Sequence, residues 1–175
     1  MNNLICKGLF VVLEHPNYII NIGHVIRNAN AFGVEKLLII DSYNRIDDNT
    51  QHLKSRKSIL KHSASAVKWI DIITFKSTND CIDYIKQLQY FSFATSPHQI
   101  GKKNIPLDEA KFASKNNVAL WFGSEANGLT NEAISFCDMC IQIPLYGKTE
   151  SFNLASATAI TLYEASKQRK HLYSK

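Results

Sequence analysis

A turn containing two glycines and one acidic residue follows a strongly apolar segment in the second half of the chain. Gly123, Glu125 and Gly128 come directly after Val118–Phe122. Glycine lets the backbone approach a flat or compact ligand, and a carboxylate at a strand end can orient polar groups. The same residues also suit the first turn of a helix, where Glu125 would complement the helix dipole. From these residues alone both interpretations stay open.

A second polar loop lies between residues 143 and 153. Apolar residues flank it and Gly147 interrupts it, which suits an adenine-type pocket built from backbone hydrogen bonds. It could equally be a plain connection from a strand to a helix, with Ser151 or Asn153 as the helix cap.

An arginine lies on the polar side of an amphipathic segment near the amino terminus. The apolar positions of this segment recur at helical spacing, and they are Ile22, Val25, Ile26, Ala29 and Phe32. Asn21 is placed to cap the start of the predicted helix and Gly33 its end. Arg27 lies off the apolar stripe, so we expect it outside the core.

Two common nucleotide-binding motifs are missing from the loops. The loop 14–17, after the first apolar segment, has no G-x-G-x-x-G, which disfavours a dinucleotide enzyme. Residues 123–128 have the glycine spacing of a P-loop, but Leu129 and Thr130 stand where Lys and Ser/Thr are required. NTP hydrolysis is therefore disfavoured as well.

Short apolar runs alternate with amphipathic stretches along the chain, which predicts an α/β fold. The predicted strands are Leu9–Glu14, Lys36–Asp41, Trp69–Thr74, Tyr90–Thr95, Val118–Phe122 and Cys140–Pro144. Most of these runs are continuously apolar, as in parallel strands that are buried on both faces. Beyond the first helix, the predicted helices are Leu53–His62, Asn79–Leu88, Leu129–Phe136 and Asn153–Arg169.

Composition predicts one ordinary globular domain over residues 1–175, with 45% hydrophobic and 20% charged residues. Neither an 18-residue apolar run nor a secretory leader is visible, so we expect a cytoplasmic protein and no membrane partner. The four cysteines are too scattered for a disulfide scaffold. Cys137 and Cys140 have zinc-like spacing but lack a second ligand pair, so we expect no metal.

Basic residues exceed acidic ones by 20 to 15, and the pI is near 9.0, which favours a polyanionic partner. The excess is concentrated in two runs. One contains Lys54, Arg56, Lys57 and Lys61, and the other contains Lys167, Arg169, Lys170 and Lys175. Each run alone could be a solvated surface. Together they favour nucleic acid.

Three segments, taken in order, resemble the motifs of the SpoU/TrmH branch of the SPOUT RNA methyltransferases. They are Asn21–Gly33, Gly123–Leu129, and Ile143–Leu145 followed by Ser151–Ser156. The resemblance implies a SPOUT fold, a mostly parallel sheet flanked by helices with a C-terminal deep trefoil knot. It also implies a homodimer, with the active site assembled across the interface. The small residues of the last predicted helix fit close packing against a second subunit.

The same resemblance implies a cofactor, S-adenosylmethionine, and a reaction, methyl transfer to a ribose 2′-hydroxyl of RNA rather than DNA. The implied cofactor-binding residues are Thr95, Gly123, Ile143, Leu145, Phe152 and Asn153, and the implied catalytic residues are Arg27, Asn21, Glu125, Ser151 and Asn153. Lys54, Arg56, Lys57 and Lys61 would bind the RNA backbone. The chain departs from the family at Phe152, usually Leu, and at Asn28 and Asn30.

Several alternatives remain beside this interpretation. Arg27 could act as a general base, as the family implies, or as a clamp on the phosphate and the attacking oxygen, which its permanent charge favours. The compact chain favours tRNA over rRNA as the substrate. Methylation of a base nitrogen and a non-catalytic RNA-binding module are the competing functions.

Overall fold

The computed structural model describes residues 4–44 and 50–174. Its strands are β1 (Ile5–Glu14), β2 (Val34–Ile40), β3 (Asp71–Phe75), β4 (Phe91–Thr95), β5 (Asn104–Pro106), β6 (Val118–Phe122), β7 (Met139–Gln142) and β8 (Tyr173–Ser174). They form one sheet in the order β3-β2-β1-β6-β4-β7-β5, and all the neighbours along it are parallel. The short β8 pairs antiparallel with the start of β1.

Helices cover both faces of the sheet. They are α1 (Ile19–Ala31), α2 (Thr50–Ser55), α3 (Lys57–His62), α4 (Thr78–Gln87), α5 (Asn131–Phe136) and α6 (Leu154–Gln168). Within residues 4–44 and 50–174, none of them combines the length and the apolar character that crossing a membrane requires.

Strand β1 shows why the apolar runs of this sequence are continuous. Leu9, Val11 and Leu13 face the larger core cluster, which includes residues of α1, α3 and α6. Phe10 and Val12 face the smaller cluster, which includes residues of α4 and α5. Successive side chains of a strand point to opposite faces, so a strand covered on both faces needs apolar residues at every position.

The predicted mostly parallel α/β sheet is confirmed, and each of the six predicted strands overlaps an observed one. β1 begins earlier than predicted, at Ile5 rather than Leu9. The sequence reading missed β5 and β8, whose three and two residues are too short to show a period. The trefoil knot stays a prediction.

Two helix predictions are wrong in detail. The expected single helix Leu53–His62 is divided into α2 and α3 at Arg56, whose ψ is 127°. The Ser55 hydroxyl donates to the carbonyl of His52 at 2.9 Å, a local bond of the kind that competes with a continuing helix. Asn21 does not cap α1, which begins at Ile19 with Tyr18 at the N-cap position. The predicted end is confirmed, because Gly33 follows the C-cap residue with φ +64°.

The cysteines are buried parts of the core. Cys81, Cys137 and Cys140 belong to the smaller cluster. Burial raises the pKa of all three thiols, that of Cys140 to about 11. A neutral buried thiol packs as a small apolar side chain, and this is the role of Cys137 and Cys140 in the fold.

Candidate active site at the carboxyl edge of the sheet

Three adjacent strands end side by side at the carboxyl edge of the sheet. β4 lies between β6 and β7, with Ala94 opposite Trp121 and Thr95 opposite Ile141. The Thr95 hydroxyl donates to the carbonyl of Trp121 at 2.7 Å and so fixes β4 against β6. Residues at the ends of these strands are therefore neighbours in space, although the sequence separates them widely. Ligands of open α/β sheets bind at this edge.

The turn after β6 is closed on itself. The Ser124 N–H donates to the carbonyl of Gly128 at 3.0 Å, and the Gly128 N–H donates to the carbonyl of Ser124 at 2.9 Å. A Cβ on Gly123 would lie 1.9 Å from the carbonyl carbon of Gly128. We expected Gly123 to let the backbone approach a ligand. The close approach that requires glycine here is to Gly128 in the same turn.

A buried carboxylate holds the far end of this turn. Glu14, at the end of β1, is 1% exposed. Its oxygens accept the Thr130 N–H at 2.8 Å, the Thr130 hydroxyl at 2.7 Å and the Thr78 hydroxyl at 2.6 Å. Thr130 in turn caps α5. Sequence reasoning missed Glu14, whose signal was an acidic residue ending an otherwise apolar strand.

Glu125 connects the turn to the start of α1. Its carboxylate accepts the backbone N–H of Asn17 at 2.8 Å and the side-chain amide of Asn21 at 2.7 Å. Tyr18 provides no side-chain cap, and the first turn of α1 has no acidic residue. Glu125 therefore supplies the negative charge that favours a helix amino terminus, for α1 rather than for the helix that follows it in sequence.

Asn21 also bonds to the residue that begins α6. The amide nitrogen of Asn153 donates to the side-chain oxygen of Asn21 at 3.1 Å, while the side-chain oxygen of Asn153 accepts the Ala155 N–H at 2.9 Å. Asn153 is thus the cap of α6, as predicted. We refer to Glu125, Asn21 and Asn153 as the carboxylate–amide chain. It joins segments more than a hundred residues apart.

The direction of these bonds is set by the carboxylate. An ionised carboxylate only accepts hydrogen bonds, so Asn21 must direct its NH₂ group toward Glu125 and its oxygen toward Asn153. Each amide NH₂ group has two hydrogens. Asn21 uses one of its two in the bond to Glu125, and Asn153 uses one of its two in the bond to Asn21. The carboxylate–amide chain can therefore donate further hydrogen bonds to an oxygen-rich ligand.

The loop 143–153 runs from the end of β7 to Asn153 and carries three more of the predicted cofactor residues. Ile143 and Leu145 are half-buried, Ser151 is exposed, and Phe152 is 40% exposed. A cavity of about 240 Å³ shares Ile143 with this set, but Thr95, Gly123 and Phe152 do not line it.

Arg27 lies apart from the carboxylate–amide chain within one protomer. It is exposed on α1, as predicted, and among the described residues no hydrogen bond joins it to that chain. It follows Asn21 by six residues, which is about 9 Å along the helix axis and about 240° around it. The structure thus brings together three of the five predicted catalytic residues and leaves Arg27 and Ser151 outside their hydrogen bonds.

The four predicted RNA-binding residues differ in exposure. Lys57 and Lys61 are exposed on α3, and Arg56 is exposed between the two short helices. The Lys54 side chain is half-buried, and its ammonium donates to the carbonyl of Ile70 at 3.3 Å. Lys57 and Lys61 therefore present the more accessible charge.

Only part of the carboxyl-terminal basic run is a solvated face, because Lys167 and Lys170 are exposed whereas Arg169 is not. Arg169 is fully buried, and its guanidinium donates to five backbone carbonyls, those of Lys7, Gly8, Phe112, Lys115 and Asn116. Lys167 pairs with Glu164 at 2.5 Å. Lys175 lies outside the described residues.

An open, mostly parallel sheet with a polar cluster beyond its carboxyl ends defines the class of α/β enzymes that bind their ligand at that edge. The chain belongs to the SpoU rRNA Methylase family, whose family model matches residues 8–163.

Two curated relatives show the range of this family. The chain is 29% identical over 163 residues to a tRNA (guanosine(18)-2′-O)-methyltransferase of Borreliella burgdorferi, covering 92% of this chain and 67% of the relative. It is 31% identical over 162 residues to a tRNA (cytidine-2′-O-)-methyltransferase of Methanocaldococcus jannaschii, covering 88% and 65%. The chain therefore spans about two thirds of the length of each.

A solved structure is similar over nearly the whole chain. The AdoMet-bound rRNA methyltransferase from Sinorhizobium meliloti superposes with a TM-score of 0.78 at 28% identity. The match covers 96% of this chain and 58% of that one.

Proposed function

We propose that this protein transfers the methyl group of S-adenosylmethionine to a ribose 2′-hydroxyl of RNA, with tRNA as the favoured substrate. The observation that carries the proposal is the carboxylate–amide chain, which presents amide donors beside the adjoining ends of β4, β6 and β7. Both curated relatives are named as tRNA 2′-O-methyltransferases, and the similar solved structure is bound to AdoMet.

The residues at the strand ends fit S-adenosylmethionine. S-adenosylmethionine has a purine, which needs apolar walls and a few backbone hydrogen bonds, and polar groups on the tail that bears its sulfonium. Ile143 and Leu145 are half-buried aliphatic side chains, and the Phe152 ring adds a partly exposed apolar surface. Thr95, Gly123 and Asn153 would hold the polar parts. When bound, the cofactor supplies an electrophilic methyl group on a sulfonium.

The carboxylate–amide chain would position the ribose. Asn21 and Asn153 each keep one amide hydrogen for an oxygen of the substrate, and Glu125 fixes the orientation of both. Ser151, exposed two residues before Asn153, would contact the substrate or the cofactor. Holding the hydroxyl in line with the methyl group supplies the positioning part of catalysis.

Arg27 would come to this site from a second copy of the chain. Within one protomer it lies on another side of α1 from Asn21, so a homodimer is the arrangement that uses its guanidinium. An arginine stays protonated in proteins, so it would clamp the neighbouring phosphate and stabilise negative charge on the attacking oxygen. The hydroxyl proton then leaves to water. Direct proton abstraction by Arg27 is the rival mechanism.

Arg27→Ala tests the proposal, with labelled S-adenosylmethionine and total tRNA as substrates. We expect turnover to fall by about a hundredfold or more, as when an oxyanion-stabilising donor is removed. Cofactor affinity measured by calorimetry stays unchanged. His24→Ala, an exposed residue one turn earlier on α1, is the control and keeps turnover.

The product identifies the reaction class. Alkali does not cleave next to a methylated 2′-hydroxyl, so the labelled RNA must contain alkali-resistant dinucleotides. Label in alkali-sensitive mononucleotides would show base methylation instead. A wild-type protein that binds no S-adenosylmethionine would refute the enzyme and favour an RNA-binding module, and transfer to rRNA alone would reject tRNA.

A further inference from the structure

Two ring side chains, His15 and Tyr18, lie in the loop that joins β1 to α1, and a third, Tyr43, contacts His15. Tyr18 and Tyr43 are each 62% exposed, and His15 is half-buried. The ring centroids of His15 and Tyr43 are 5.0 Å apart, at an interplanar angle of 58°. Single exposed aromatic residues are common on protein surfaces, whereas His15 and Tyr43 are a contacting pair and Tyr18 is a further exposed ring three residues after His15. We refer to His15, Tyr18 and Tyr43 together as the aromatic surface.

The placement of His15 costs folding free energy. Its φ is +50°, in the left-handed region that residues with a Cβ seldom adopt. Its Nδ1 atom is buried and, among the described residues, has no hydrogen-bond partner. Strained backbone and an unsatisfied polar atom at one residue motivate a functional hypothesis, because such features cluster at binding and active sites.

This aromatic surface adjoins the carboxylate–amide chain. Asn17 lies between His15 and Tyr18, and its N–H donates to Glu125 at 2.8 Å. His15 and Tyr18 are three residues apart, so their Cα atoms are within about 10 Å of each other. The loop that carries His15 and Tyr18 is therefore bonded directly to Glu125 of the carboxylate–amide chain.

We propose that His15, Tyr18 and Tyr43 form a stacking surface for an unpaired RNA base, next to the ribose that is methylated. The inference rests on the proposed function and names the form of its substrate. Sequence-specific RNA recognition uses unpaired bases of loops and ends, and these bases stack on tyrosine and histidine rings. A base within a duplex cannot reach these rings. The substrate nucleotide or its neighbour is therefore unpaired.

The test compares Tyr43→Ala with wild type on a short single-stranded RNA carrying one 2-aminopurine. Loss of a stacked base lowers affinity by about fivefold to a hundredfold. We expect that loss for the single strand, together with loss of the 2-aminopurine quenching, and no change for the same sequence as a full duplex. Tyr43→Phe keeps the ring and should bind like wild type.

The control is Trp69→Ala, which removes a ring that is 68% exposed. Trp69 lies just before β3, at the amino ends of the strands rather than at their carboxyl ends. It should leave single-strand affinity unchanged. Equal affinities of Tyr43→Ala and wild type, or an equal loss in Trp69→Ala, would overturn the stacking surface.

The two proposals fail separately. If the protein methylates RNA and Tyr43→Ala has no effect on binding, only the stacking surface is rejected. If the protein neither binds S-adenosylmethionine nor transfers methyl groups, while Tyr43→Ala still weakens single-strand binding selectively, the stacking surface stands and the enzyme is rejected.

Discussion

The sheet has a buried charged side chain near each of its edges, Arg169 at the amino edge and Glu14 at the carboxyl edge. Within the part of the chain that the structure describes, neither has an oppositely charged partner in its hydrogen bonds. Arg169 donates to five backbone carbonyls and joins the end of α6 to the start of β1 and the segment before β6. Glu14 holds Thr130 at the end of the glycine turn, and the start of that turn carries Glu125.

The two sets of hydrogen bonds differ in whether they reach the protein surface. At the amino edge the guanidinium is enclosed by the protein. At the carboxyl edge the polar groups extend from buried Glu14 through the turn to half-buried Glu125 and exposed Asn153, which retains an amide hydrogen. The first arrangement can only stabilise the fold, whereas the second can also bind a ligand.

Arg169→Ala should have the largest effect. Five carbonyls lose their donor and a buried volume is left empty, so we expect the free energy of unfolding to fall by about 3 to 5 kcal/mol. Chemical denaturation measures it, and the exposed neighbour Lys170 provides the control, since Lys170→Ala should change stability little. An unchanged unfolding midpoint for Arg169→Ala would mean that water replaces the guanidinium without cost.

Glu14→Gln should have a smaller effect on stability and an additional one on binding. The substituted amide places an NH₂ group where Glu14 now accepts hydrogen bonds, which costs about 1 to 3 kcal/mol. Because Thr130 fixes the turn, the folded variant should also bind S-adenosylmethionine more weakly in calorimetry.

Arg169→Lys sharpens the contrast between the two edges. It should destabilise the protein yet leave cofactor affinity unchanged once folded. Equal cofactor affinities for Glu14→Gln and wild type would show that the two buried charges have the same purely structural role.

The basic residues extend the comparison to the surface. Exposed Lys57 and Lys61 should bind phosphates, whereas Lys54 already donates to the carbonyl of Ile70. Each phosphate contact contributes about 0.7 to 0.9 to the slope of log affinity against log salt. The double variant K57Q/K61Q should therefore lower the slope by about 1.4 to 1.8, and Lys54→Gln by less. Equal slopes for all variants would remove these lysines from the RNA surface.

The smallest expected effect is on the pH dependence of stability, and it comes from Cys140 in the core. Burial raises the pKa of the Cys140 thiol to about 11, from an ordinary value of 9.0. The unfolded chain therefore loses this proton at lower pH than the folded one. The resulting stability is fully present below pH 9 and is lost as pH rises toward 11. Denaturation midpoints across this range should fall less steeply in Cys140→Ala, and identical slopes would contradict the assignment.

Much of the fold was predictable because burial on both faces leaves a local signature. The run Val118–Phe122 is continuously apolar, and the structure places it in the centre of the sheet. β8 and the break at Arg56 were not predictable in this way. A two-residue strand depends on a partner far away in sequence, and the break lies in the extended backbone of a single residue, Arg56.

The site was predictable in part, for a similar reason. The types and order of Asn21, Glu125 and Asn153 were visible in the sequence, but their partners were not. One interpretation of the sequence had Glu125 complement the dipole of the helix after it. The carboxylate instead bonds at the start of α1, because the sheet order brings the end of β1 beside the end of β6. Arg169 was grouped with surface lysines, since charge alone does not distinguish a solvated cation from an enclosed one.

The sequence by itself determined most of the strands and helices, which face of α1 is buried, and which polar residues stand at strand ends, because these follow from local periodicity and residue chemistry. Tertiary structure alone decided which strand ends are neighbours, which carboxylate bonds to which amide, and which cation is enclosed. Those outcomes depend on hydrogen bonds between residues far apart in the chain, and no local pattern encodes their distances.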